Sequence, residues 1–128
     1  MNIPVKINRN DIGSITQLIN LMFQINIDFI DYISFYNLSS ILKKFQNVNF
    51  NLNFQTKKIY TIQLNPNEAK EFLNLIKNNS NLINQNTYFT AQILNISNQI
   101  HKTLTTLEGQ KDNLANELIL TIPKTLNQ

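Results

Sequence analysis

Between residues 47 and 55 the chain alternates without interruption: Val48, Phe50, Leu52 and Phe54 are separated by Asn47, Asn49, Asn51, Asn53 and Gln55. A period of two marks a half-buried strand, because successive side chains leave an extended backbone on opposite sides. It predicts a strand with one apolar and one amide face. Thr56-Lys57-Lys58 reads as a turn, and Tyr60, Ile62 and Leu64 alternate with Thr61 and Gln63 as the return strand. A hairpin over 47–64 is therefore the expected centre of a small antiparallel sheet of two or three strands. Ile3, Val5 and Ile7, alternating with Pro4, Lys6 and Asn8, predict another short strand, and Pro4 favours an edge or a strand start.

The remaining apolar residues recur at helical spacing. Ile12, Ile15, Leu18, Ile19, Met22 and Ile25 predict a helix capped by Asn10 or Asp11. Leu38, Ile41, Leu42 and Phe45 predict a second, with Asp28 as its cap; over 24–36 helix and strand patterns compete. Asn65-Pro66-Asn67-Glu68 is a helix start with cap, proline at the first position and a capping-box carboxylate, and it leads into Ala69, Phe72, Leu73 and Ile76. A long helix from Asn86 or Thr87 places Phe89, Ile93, Ile96, Ile100, Leu104 and Leu107 on one stripe and is expected to end or bend at Gly109. A last short helix carries Leu114, Ala115, Leu118 and Ile119 before Pro123 and a polar tail. The expected fold is α+β: the 47–64 hairpin packed against three to five helices in one domain, residues 1–128, with a flexible tail over 121–128.

The chain holds no cysteine, one histidine, one arginine and two glycines among 128 residues. Without thiolates or a second imidazole, the usual zinc sites cannot be written. Two glycines, Gly13 and Gly109, do not furnish a phosphate-cradling loop, and no serine sits on a glycine elbow. Asp28 with Asp31, and Glu68 with Glu71, have the spacing of an acid and base pair, but both pairs fall in first helical turns, where carboxylates cap and complement the dipole. His101, beside Ile100 on the long helix, reads as a partly exposed polar position. No enzyme, no cofactor and no small-molecule substrate are expected. The amino terminus lacks the apolar run of a secretion signal, and residues 12–27 are too amide-rich to span a bilayer, so neither secretion nor membrane insertion is expected.

Asparagine is abundant, 23 residues, while residues with GC-rich codons are scarce. Such a bias explains the three Asn-x-Ser motifs at Asn37, Asn78 and Asn95, since about three arise by chance at this composition. Against that background the amide row Asn47, Asn49, Asn51, Asn53 and Gln55 is the most pointed candidate interaction face, because amides offer both donors and acceptors. Lys6, Arg9, Lys57 and Lys58 are candidate polyanion contacts in a chain of net charge +3. Charged residues are only 15% of the chain, without the basic stripe of a committed duplex binder. The leading expectation is a non-catalytic interaction or assembly protein with a protein partner or self-association. Small size and AT-rich bias favour a virus or mobile-element product, such as a minor virion component, placed in the virion or the host cytoplasm. The alternatives are an accessory nucleic-acid binder using the basic, amide-rich hairpin face, and an inhibitor of a host protein.

Overall fold

Ile3, Val5 and Ile7 form the buried side of a strand, and the residues facing them are Leu64, Ile62 and Tyr60. The computed structural model describes residues 2–121. Within them, strands β1 (Ile3–Asn8) and β2 (Ile59–Leu64) pair antiparallel as a two-stranded sheet. Five helices accompany it: α1 (Arg9–Asn26), α2 (Tyr32–Asn51), α3 (Pro66–Asn78), α4 (Ser80–Asn84) and α5 (Thr87–Thr121). The α+β class, the small antiparallel sheet and the number of helices agree with the sequence expectation.

The expected first strand of the hairpin does not form. Residues 47–51 continue α2, and Leu52–Phe54 close it as a 3-10 turn. The reason lies in the pattern itself. Val48 and Leu52 extend the helical stripe of Leu38, Ile41, Leu42 and Phe45 and lie half-buried against the core, so two of the four alternating residues satisfy both periods. Phe50 and Phe54, which the strand reading places inside, face solvent. No glycine or proline between Phe45 and Lys58 stops the helix. The partner of β2 is supplied instead by β1, from more than fifty residues away.

Several boundaries shift for equally local reasons. Asp31, rather than Asp28, caps α2, its carboxylate accepting from the Ser34 amide at 2.7 Å; that bond lowers the Asp31 pKa. Asn8 precedes α1 as its cap residue, without a side-chain capping bond. Around Asn65 the expected capping box is complete: Asn65 Oδ1 accepts from the Glu68 amide, and Glu68 Oε1 accepts from the Asn65 amide, both at 2.8 Å. Helix α5 runs straight through Gly109, where a side chain would meet nothing within 4 Å, so the expected two helices are one. The expected tail lies outside the described residues beyond Thr121.

Helices α1, α2, α3 and α5 bury their apolar faces with the inner side of the sheet in one core that includes Ile12, Ile19, Leu38, Phe45, Phe72 and Ile96. The free edge of β1 is closed. Pro4 has no amide hydrogen to offer there, and the Gln99 side chain of α5 both accepts from the Lys6 amide at 2.7 Å and donates to the Lys6 carbonyl at 2.9 Å. One glutamine thus replaces a third strand at that edge.

Candidate interaction surface

The amide row does not survive as a row, because helical geometry turns successive residues by roughly 100°. Asn47 and Asn51 are exposed on α2, whereas Asn49 is half-buried and faces α1, its Oδ1 lying 3.6 Å from where a side chain on Gly13 would begin. Asn53 lies in the 3-10 turn and Gln55 in the connection to β2, both exposed.

Of the four candidate cations the fold brings Arg9 and Lys58 together, the Arg9 amide donating to the Lys58 carbonyl at 2.8 Å, whereas Lys6 lies on β1 beside Gln99 and Lys102 of α5. Lys6, Lys57 and Lys58 are exposed. Arg9 is committed inward: its guanidinium donates to the carbonyls of Leu52 and Gln55 and to the Tyr60 hydroxyl. It acts as the clasp that holds the α2–β2 connection against the start of α1. Asp11, in the first turn of α1, is buried and accepts from the Tyr88 hydroxyl, which ties α5 to α1 and raises the Tyr88 pKa. His101 is exposed on the rim of a groove between α3 and α5. Among the described residues, no three metal-ligating side chains come together, and no helix is long and apolar enough to cross a membrane.

What the fold does assemble is an uncovered apolar surface on the α1–α2 hairpin. Phe29 (86%), Tyr32 (77%), Ile33 (70%), Tyr36 (67%), Phe50 (69%) and Phe54 (74%) are mostly exposed, and Leu21, Ile25 and Ile27 at the end of α1 and in the following turn are also exposed. Tyr32, Tyr36 and Phe50 follow one line along the solvent side of α2, with Phe54 in the 3-10 turn that closes it and Phe29 in the turn before it. Tyr32 and Tyr36 are in ring contact at 6.2 Å, and Phe50 and Phe54 at 5.8 Å. Between the two pairs lies a shallow groove bordered by Tyr36, Ser39, Ser40, Lys43 and Asn47. Along the helix these residues recur at steps of three and four, so they occupy one face.

This face is held rigidly from behind. On the far side of α2, Phe45 stacks on Phe72 of α3, ring centroids 6.1 Å apart and planes inclined by 6°. Beside that stack the Glu68 carboxylate, 1% exposed, accepts from Lys44 Nζ at 2.6 Å, Ser40 Oγ at 2.5 Å and the Asn65 amide. Burial pushes the Glu68 pKa up, but the Asn65 amide, Lys44 and Ser40 outweigh it and leave the carboxyl more acidic than usual. Lys44 also donates to the Gln63 carbonyl at 2.9 Å, and Ser34 Oγ donates to Glu71 at 2.7 Å. Both acidic pairs weighed from sequence are thereby engaged in capping and cross-helix bonds, through Asp31, Glu68 and Glu71.

Comparison with family models, with curated proteins and with solved structures finds no match to this chain. The surface itself must therefore carry the functional reading. Sequence reasoning overlooked it although a signal was present: on the helix defined by Leu38, Ile41, Leu42 and Phe45, the residues Tyr32, Tyr36 and Phe50 fall on the opposite side, an apolar excess the core does not use.

Proposed function

We propose that this is a non-catalytic interaction or assembly protein whose working surface is the solvent side of the α1–α2 hairpin. The observation that supports it is the exposure of Tyr32, Ile33, Tyr36 and Phe50 on a helix anchored to the core by its other side, with Phe29 in the turn before it and Phe54 in the turn after it also exposed. Leaving a large apolar side chain in water forgoes roughly 1.5–3 kcal/mol of burial. Exposed apolar clusters, here an aromatic pair on either side of a polar groove, mark sites of association, and tyrosine is among the residues most enriched at the energetic centres of such sites. The tilted Phe23–Phe35 contact at 5.5 Å supports the same face from within by joining α1 to α2.

A lysate of the cells that make the protein provides the test. The wild-type chain is expected to elute in size-exclusion chromatography as a complex larger than the 14.9 kDa monomer. The double variant Tyr32→Ser, Tyr36→Ser is expected to shift to monomer while keeping its helical circular dichroism. Wild type and variant eluting alike, at whatever size, would contradict the reading.

A further inference from the structure

The solvent face of α2 is self-complementary, and we infer that its partner is a second copy of this chain, packed antiparallel across a two-fold axis between Ser39 and Ser40. The inference rests on the reading of this face as an interaction surface and adds its occupant and register. Small residues mark the middle of the stripe: Ser39 and Ser40 border the groove, so two α2 helices approach most closely there. Of the two lysines that line the groove, Lys44 is paired with Glu68, and Lys43 is the exposed charge near that centre. A parallel, in-register pair sets Lys43 against its own copy, whereas the antiparallel pair sets it against the face of Tyr36, a cation–π arrangement, and separates the two lysines by roughly 10 Å along the axis. The same register places Tyr32 opposite Asn47 of the second copy. It also brings the Phe29 and Tyr32 end of one helix over the Phe50 and Phe54 end of the other.

The area is sufficient. Five aromatic side chains, Phe29, Tyr32, Tyr36, Phe50 and Phe54, are each between 67% and 86% exposed. At roughly 150–250 Å² per aromatic side chain they offer on the order of 600–900 Å² per copy, which matches the roughly 800 Å² per partner of a stable specific interface. A C2 dimer requires one patch to fit itself, and this stripe, aromatic at both ends with small and polar residues between, meets that requirement.

The absence of native cysteine makes the register directly testable. Purified full-length protein at tens of micromolar is expected to scatter light as twice 14.9 kDa, and Ser39→Arg, which puts a long cation at the closest approach, to reduce it to the monomer mass. A short bis-maleimide is expected to link Ser39→Cys chains into covalent dimers at least tenfold more efficiently than Asn98→Cys chains, whose cysteine lies on the exposed side of α5. A monomeric wild type, or equal linking of the two cysteine variants, overturns the dimer. If the lysate complex persists in that case, the broader interaction reading stands and its partner is another protein.

Discussion

Phe72→Ala is expected to lower the unfolding free energy by about 3–5 kcal/mol, the largest loss from any single side chain discussed for this protein. Phe72 is fully buried and lies in a parallel stack with Phe45, so truncation opens a void between α2 and α3 that neither helix can fill without moving. Helix α3 is pinned at its start by the Asn65 capping box and helix α2 by the bonds to Glu68, which limits relaxation and keeps the cost at the upper end. Domains of this size have about 5–15 kcal/mol in all, so the variant is expected to lose a large fraction of its stability. Urea denaturation monitored by circular dichroism measures this; a loss below about 1 kcal/mol would mean that the α2–α3 interface is not packed as described.

Lys44→Met ranks second. The substitution keeps the aliphatic stem but leaves the Glu68 carboxylate buried without a counter-cation, held only by Ser40 and the Asn65 amide. Because the Lys44 end of the pair is 38% exposed, solvent offsets part of the penalty of a fully buried pair, and the loss is expected to be about 1–2 kcal/mol, or roughly 3–7 °C in Tm. The pH dependence carries a sign. In the folded wild type the Glu68 pKa lies below its ordinary value, so the unfolded state binds a proton more readily. Stability from this group is complete above the ordinary carboxylate pKa and is lost as pH falls through the depressed one. In Lys44→Met the hydrogen bond and the charge that Lys44 contributes to lowering the pKa are gone, so the pKa moves up from its depressed value and less stability is lost on acidification. Thermal melts from neutral pH to about pH 3 are expected to show the two proteins converging as pH falls. Parallel curves would remove Lys44 from the account of Glu68.

Helical periodicity was legible in the sequence, and so was the start of α3: Asn65, Pro66 and Glu68 begin it as read, and Phe89 to Leu107 form the packed stripe of α5, whereas the caps of α1 and α2 proved to be Asn8 and Asp31. Pairing was not. The β2 pattern Tyr60, Ile62, Leu64 is correct, but its partner was sought in the adjacent segment because hairpin logic is local, whereas Ile3, Val5 and Ile7 match it from the far end of the chain. The segment 47–55 misled because a strict alternation of apolar and amide residues in an asparagine-rich chain can hide a helical stripe. Val48 and Leu52 belonged to the core stripe, and Phe50 and Phe54 were apolar for another reason. That second set of residues is the candidate surface. The error about the strand and the oversight of the surface thus have one origin, the assumption that every apolar residue in an element serves the core.

Site-specific photo-crosslinking tests the central claim most directly. With benzoylphenylalanine in place of Tyr36, on the proposed working face, irradiation of the cells that make the protein is expected to yield discrete covalent adducts. With the same group at Asn98, exposed on α5, it is expected to yield none above background. Adducts of equal intensity at both positions, or none at Tyr36, would contradict the assignment of this face of α2 as the surface through which the protein works.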